Sequence, residues 1–146
     1  YFDIVISQGF LEHFLNVEQV IEKHINLLVK GGILVISIPR FKGINYFLTS
    51  FFHRENIGIH NLEIMEKNNF LNIFNVKGLS TIFCDYYGTF SFCLFNTNNK
   101  SLKRYILKFC TYLQLILNAF FYVLFKEKGK ESRFFSPNII FIGKKE

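Results

Sequence analysis

Two stretches, Phe2-Asp-Ile-Val-Ile-Ser-Gln-Gly-Phe-Leu-Glu-His-Phe14 and Lys30-Gly-Gly-Ile-Leu-Val-Ile-Ser-Ile-Pro39, decide the fold. Residues 2–7 and 33–38 are short apolar runs rich in β-branched residues, a pattern typical of strands covered on both faces. The segment between them has apolar residues at helical spacing, which are Val17, Val20, Ile21, Ile25 and Leu28. Strand, helix and strand in this order predict a right-handed parallel crossover, and therefore an α/β fold.

Local signals place the ends of these elements. Asn16 is predicted to cap the helix, with Gln19 in capping-box position. Gly31-Gly32 is predicted to end the helix in a left-handed turn before the second strand. That strand ends at Pro39, and binding loops of open α/β sheets begin at such strand ends.

The rest of the chain predicts further elements of both kinds. Helices are expected at residues 45–52 and 63–74, with a loop between them. Residues 79–86 and 89–95 read as strands divided at Gly88, residues 96–100 as a polar turn, and residues 138–143 as a final strand.

Composition excludes several classes of protein. A chain of 146 residues, 50% of them hydrophobic, is long enough for one core. The net charge of +6 comes largely from basic residues that flank hydrophobic segments, so we expect no nucleic-acid partner. Cys84, Cys93 and Cys110 are odd in number and have no C-x-x-C spacing, which predicts free thiols in a reducing cytoplasm. No secretion signal is recognisable, and a chain that opens inside a strand is expected to be a piece of a longer protein.

Residues 102–125 form a long, nearly unbroken apolar segment with helical character. A polar stripe along it comprises Arg104, Lys108, Thr111, Gln114 and Asn118. The uncharged part, residues 109–125, is at the lower length limit for a membrane span. Two interpretations stay open: a lid helix over a substrate site, and a helix that contacts a membrane.

The two opening stretches together resemble the second half of a class I S-adenosylmethionine (SAM)-dependent methyltransferase of the type 11 or type 12 kind. The matching pattern is F-D-[IV]-V-x-S-x-G-x-x-E-H-F followed by G-G-x-L-x-[IV]-S-[IV]-P. The resemblance implies a partial Rossmann-like sheet made of the family's strands 4 to 7, its last strand antiparallel, with residues 102–125 as a hydrophobic helix inserted before that strand. Residues 1–146 would then be the C-terminal part of a single methyltransferase domain.

The resemblance also assigns the site. Ser7, Gln8 and Gly9 would lie against the SAM cofactor, where a glycine permits close approach of the backbone. Glu12 and His13 would face the methyl-transfer centre, where a histidine can accept the proton of a nucleophile. The acceptor, a small or lipid-like molecule, would meet a polar cluster made up of His53, Arg54, His60 and Asn61. In metal-using quinone-ring O-methyltransferases an acid stands three residues before the Glu-His pair; here that residue is Gly9, so no metal is expected.

Plain structural explanations stay open for each of these residues. Ser7 to Gly9 also suit an ordinary strand-to-helix turn, Glu12 and His13 suit a helix cap, and the polar cluster suits a surface loop. The alternative functions are a membrane-associated module anchored by residues 102–125 and a non-catalytic methyltransferase remnant. The expected localisation is cytoplasmic, with peripheral membrane contact as the alternative; the sequence does not determine the oligomeric state.

Overall fold

The computed structural model describes residues 1–76, 78–89, 91, 102–126 and 131–146, with Lys103 described by its backbone alone. The strands and helices are, in chain order, β1 (Phe2–Gln8), α1 (Val17–Leu27), β2 (Leu28–Pro39), α2 (Ile44–Phe52), α3 (Glu55–Ile59), α4 (Lys67–Asn72), β3 (Leu79–Tyr87), α5 (Leu102–Phe125) and β4 (Asn138–Lys145). Two 3-10 helices, Leu11–His13 and Glu63–Met65, precede α1 and α4. The predicted mixed α/β fold is confirmed.

The strands form one four-stranded sheet in the order β1-β2-β4-β3. β1 and β2 are parallel, as the strand, helix and strand pattern predicts. β4 lies antiparallel to β2, with Ile36 opposite Phe141 and Ile38 opposite Ile139. The prediction of an antiparallel last strand is therefore confirmed.

One face of this sheet is a closed apolar core. Leu34, Ile36 and Ile38 of β2 alternate along the strand and are at most 1% exposed. Beyond them, Phe141 of β4 stacks on Phe74, with 3.7 Å between ring centroids and 4° between ring planes. Phe70 of α4 meets Phe74 edge-on at 5.1 Å, so three aromatic rings fill this part of the core.

The opposite face of the sheet is apolar but open. Ile4 and Ile6 of β1 are 58% and 71% exposed. Their register partners on β2, Ile33 and Val35, are half-buried, as are Ile140 and Ile142 of β4. Within the described residues β1 is the edge strand of the sheet and one of its faces is exposed, so the predicted cover on that face does not come from these residues.

The Gly31-Gly32 pair lies inside a strand and does not end the helix, contrary to the prediction. α1 ends at Leu27, and β2 begins at Leu28, which pairs with Phe2. The next pair is Ile4 with Ile33, so four residues of β2 bulge out opposite one residue of β1. Gly31 accommodates this bulge with φ at +81°.

We expect Gly32→Ala to destabilise the chain by about 1–3 kcal/mol, because the bulge leaves no room for a methyl group. A Cβ at this position would stand 2.9 Å from the Val29 carbonyl oxygen and 3.1 Å from that of Asp3. Urea denaturation followed by circular dichroism measures the change. Gly58→Ala is the matched control, since a Cβ there meets no heavy atom within 4 Å; equal stability of the two variants would contradict the prediction.

The described residues divide into two compact units. The first comprises Tyr1–Pro39, His60–Asp85 and Asn138–Glu146, and therefore most of the sheet. The second comprises Arg40–Ile59 and Tyr86–Pro137, with α2, α3 and α5. The core of the second unit contains the buried residues Phe52 and Leu107. The partly buried residues packed against them are Ile44, Leu48, Cys110 and Phe135. Asn45, which is fully buried, fixes α2 by donating from its Nδ2 to the carbonyl oxygen of Ser136 at 3.1 Å.

Helix α5 has the predicted polar stripe, and part of that stripe faces the interior. Gln114 is 9% exposed, and Thr111 and Asn118 are half-buried, so these polar residues face inward. The outward residues are large and apolar, with exposures of 57–77%: Tyr105, Phe109, Tyr112, Ile116, Phe120 and Val123. Arg104 and Lys108, at the start of the stripe, are exposed. In the part of α5 that follows Lys108, the polar residues therefore face inward and the large apolar residues face outward.

Several other predicted elements have different bounds in the structure. Residues 63–74, predicted as one helix, form the 3-10 helix Glu63–Met65 and the separate helix α4. The predicted loop before them contains α3. Asn16 precedes α1 as predicted, although its side chain makes no capping hydrogen bond. Most of the predicted strand 89–95, the turn 96–100 and Cys93 lie outside the described residues.

The thiol of Cys84 is expected to be slow to alkylate at neutral pH. Burial raises its pKa from 9.0 to about 11, against the smaller opposing effect of Lys67, which pairs with Asp85 at 2.9 Å. Since the thiolate is the nucleophile, its reactivity at pH 8 should be about a hundredfold lower than that of an ordinary thiol. Reactivity should rise about tenfold for each pH unit until pH about 11. Mass spectrometry of the iodoacetamide-treated chain measures this, and a plateau reached near pH 9 would contradict it.

Candidate functional site

The candidate site begins where the parallel strands β1 and β2 end. Gln8 is opposite Ser37 in the register, and the Gly9 N–H donates to the Ser37 carbonyl oxygen at 2.9 Å. Gly9 has φ at +62°, a conformation that glycine adopts without strain. Ser7 is half-buried, whereas Gln8 and Gly9 are exposed. The three residues predicted to bind a cofactor therefore form the strand end and an open turn after it.

Glu12 and His13 follow that turn in the 3-10 helix Leu11–His13. Glu12 is 1% exposed, whereas the His13 side chain is 46% exposed. Glu12 Oε1 lies 3.9 Å from His13 Nε2, too far for a hydrogen bond, and Glu12 Oε2 is buried without a hydrogen-bond partner among the described residues. Burial raises the pKa of the Glu12 carboxyl. A hydrogen bond from its own backbone amide and the electrostatic effect of the nearby His13 lower this pKa, but by less.

His60 and Asn61 join this group from a distant part of the chain. The Asn61 N–H donates to the Glu12 carbonyl oxygen at 2.7 Å, and Asn61 Nδ2 donates to the Phe14 carbonyl oxygen at 3.3 Å. Asn61 Oδ1 accepts from the Glu63 N–H at 3.1 Å and so also fixes the next 3-10 helix. The His60 ring lies 4.6 Å from the His13 ring. Asn61 thus positions the backbone that brings His60 to Glu12 and His13.

His53 and Arg54 belong to the second unit and do not share the contacts of His60 and Asn61. The His53 N–H donates to the Thr49 carbonyl oxygen at 2.7 Å at the end of α2, and His53 Nδ1 lies 3.4 Å from Asn56 Nδ2. Arg54 is exposed. The predicted acceptor cluster therefore divides into one pair beside Glu12 and another at the end of α2.

Two arrangements had no signal in the sequence. Arg40 follows Pro39 directly and is 1% exposed, with its guanidinium 4.8 Å from the centroid of the Tyr86 ring in the second unit. The approach of His60 to His13 was also missed, because both histidines were noted but no local pattern pairs residues so far apart in the chain.

Comparisons with known proteins support the fold. No family model and no curated protein matches the chain. The chain is similar to a solved structure from Bacillus halodurans C-125 described as a "putative methyltransferase", with a TM-score of 0.52 and 18% sequence identity. The similarity covers 98% of this chain and 64% of that one, so the chain spans less than two thirds of its neighbour's length. The chain therefore has a mixed α/β fold of the methyltransferase type.

Proposed function

We propose that the chain is the C-terminal part of a SAM-dependent methyltransferase that acts on a small or lipid-like acceptor in the cytoplasm. The observation that carries this proposal is the open glycine turn at the end of β1, with Glu12 and His13 directly after it, in a fold of the methyltransferase type. In this proposal the strands β1, β2, β3 and β4 correspond to the family's strands 4, 5, 6 and 7. Their spatial order β1-β2-β4-β3 then places the antiparallel strand between strands 5 and 6.

The turn at Gly9 fits close contact with a cofactor. A Cβ at residue 9 would meet Glu12 Oε1 at 3.5 Å and no other heavy atom within 4 Å, so the backbone is open on that side. Ser7, Gln8 and Gly9 would hold the methionine side of SAM, which supplies the methyl group as a sulfonium. Glu12 and His13 would then face the acceptor. Methyl transfer depends mainly on alignment of the reacting atoms, to which a turn hydrogen-bonded to β2 through Gly9 would contribute.

The open face of the sheet supports a missing cofactor-binding half. Ile4 and Ile6 are more than half exposed, and Ile33, Val35, Ile140 and Ile142 continue the same apolar face. Doubly wound sheets have helices on both faces. We propose that a segment N-terminal to Tyr1 covers this face and provides most of the cofactor site.

The test is SAM binding by isothermal titration calorimetry, with the gene product that carries these residues and whatever its coding sequence places before Tyr1. We expect binding in that protein, and a loss of at least about tenfold in affinity for Gly9→Val, because the side chain would block backbone approach. Gly78→Val is the matched control: Gly78 also has a positive φ, at +86°, and nothing lies within 4 Å of its Cβ position. No binding by the unmodified protein would favour the remnant hypothesis, and equal losses in both variants would contradict the role of Gly9.

A second function, attachment to a membrane surface, is favoured by helix α5. Residues Arg104–Phe125 are the one candidate span in the described part of the chain; an 18-residue window within them has a mean hydropathy of 1.5, and 11% of that window is buried. Length and composition alone are weak evidence, but the outward apolar side and inward Gln114 are the reverse of an ordinary surface helix. We propose that α5 contacts lipid, which would also bring the enzyme to an apolar acceptor. Recovery of the protein in the membrane fraction of cells, rather than in the soluble fraction, is the expected result.

A further inference from the structure

Glu12, His13 and His60 place three metal-ligating groups together. Each offers one ligand atom, a carboxylate oxygen or an imidazole nitrogen, and these atoms all lie within 4.8 Å of one another. The groups come from two segments of the chain, residues 12–13 and residue 60. The hydrogen bond from the Asn61 N–H to the Glu12 carbonyl oxygen, 2.7 Å long, joins the segments beside the ligand atoms.

Glu12 has the features of a ligand that needs a cation. Its side chain is 2% exposed, and its Oε2 has no hydrogen-bond partner in the described part of the chain. A buried carboxylate is costly unless it is paired, hydrogen-bonded or bound to a metal. His13 Nε2 lies 3.9 Å from Glu12 Oε1, and the His13 side chain is 46% exposed, so one ligand of the group is accessible from solvent.

We propose that Glu12, His13 and His60 bind one divalent transition-metal ion of the zinc or cobalt type. Two imidazole nitrogens and one carboxylate oxygen are a ligand set that Zn²⁺ and its neighbours accept, whereas Mg²⁺ and Ca²⁺ prefer oxygen alone. Three protein ligands leave a further coordination position for a water or another oxygen ligand.

The distances require a modest rearrangement. Bonds of about 2.0–2.2 Å in a tetrahedral site put the ligand atoms about 3.4 Å apart. The Glu12 to His13 distance of 3.9 Å is close to that value. The widest separation allowed by the cluster, 4.8 Å, closes by rotation of the partly exposed His13 or His60 rings, which lie 4.6 Å apart and tilted by 45°.

This proposal revises the expectation that no metal is used. That expectation rested on Gly9, which stands where an acid would be a ligand; His60 now supplies a third ligand that the sequence did not reveal. Binding of the ion does not depend on the proposed methyl transfer. Any part that the ion plays in the reaction does rest on the proposed function, and a bound ion would occupy the His13 nitrogen that the sequence prediction assigned to proton acceptance.

The test is titration of the metal-free chain with Co²⁺ at fixed pH, followed by visible absorption, with Zn²⁺ as the competitor. We expect one ion per chain. Glu12→Gln, His13→Asn and His60→Asn should each weaken Co²⁺ binding at least about tenfold, since even loss of an outer-shell partner costs about 10–100-fold. His24→Asn and His53→Asn are the matched controls and should change it less than about twofold. His24 Nδ1 already lies 2.7 Å from the Val20 carbonyl oxygen on α1.

A second measurement uses the unmodified chain, so its result does not depend on whether the variants fold. In the unmodified chain labelled with ¹⁵N, Zn²⁺ should shift the imidazole resonances of His13 and His60 and leave those of His24 and His53 in place. Less than one ion per chain, or equal effects at all four histidines, would overturn the proposal. SAM binding is measured in a separate experiment. A failure of Co²⁺ binding therefore leaves the proposed methyl transfer standing, and a failure of SAM binding leaves the metal site standing.

Discussion

Phe141→Ala is expected to lower the free energy of unfolding by about 3–5 kcal/mol, the range for a large aromatic side chain removed from a closed core. Phe141 is fully buried, and its ring stacks on Phe74 at 3.7 Å. The ring also lies against Gly143, where a Cβ would stand 2.7 Å from Phe141 Cε1. Both neighbours therefore lose contacts when the ring is removed, and Gly143 has no side chain to fill the cavity.

The measurement is urea denaturation followed by circular dichroism, because the chain has no Trp for fluorescence. Phe83→Ala is the matched control: the residue is of the same type, lies in β3 of the same unit and is 48% exposed. We expect the control to cost less than about 1 kcal/mol. A similar cost for both variants would mean that Phe141 is not part of a closed core and would remove the argument for one covered and one open sheet face.

The sequence predicted the type and order of most elements because each has a local period. The alternation in β2 and the helical spacing in α1 depend on which residues face a core, and both patterns are visible in the chain. The apolar run in β1 predicts cover on both faces, but it does not say which segment of the protein provides that cover. Ile6 is 71% exposed in this structure although its neighbours in sequence are typical of a buried strand. The bulge at Gly31 was missed because a Gly-Gly pair suits a helix end and a strand irregularity equally well.

The candidate site was predictable only in part, for a similar reason. Gly9, Glu12 and His13 are adjacent in sequence, so one short pattern contains them all. His60 reaches His13 through a tertiary contact, and the tether is a backbone hydrogen bond of Asn61 that leaves no mark on residue types. The resemblance grouped His60 with His53 as acceptor residues, but the two histidines lie in different units. Local patterns therefore find the strand end of the site and miss what folding adds to it.

The side of helix α5 that faces the protein was also not predictable from the sequence, and it determines the expected vesicle affinity. A period of 3.6 residues identifies the stripe that contains Gln114 but does not say which side of the helix faces the protein. The structure puts Gln114 inside and leaves Ile116 and Val123 outside, at 68% and 77% exposure. If this outer side inserts into lipid, the double variant Ile116→Lys and Val123→Lys should lose about a hundredfold or more in vesicle affinity, since each buried aliphatic side chain contributes about 1.5–3 kcal/mol.

The measurement is co-sedimentation with zwitterionic phosphatidylcholine vesicles, because the net charge of +6 would attract the chain to anionic lipid without any insertion. The control is the double variant Leu15→Lys and Ile59→Lys, which adds the same two charges at residues that are 90% and 63% exposed and lie outside α5. We expect the control to bind vesicles like the unmodified chain. If both double variants bind equally well, the outer side of α5 is not a lipid-contacting surface, and the lid-helix interpretation gains support because a lid needs an apolar side without needing a membrane.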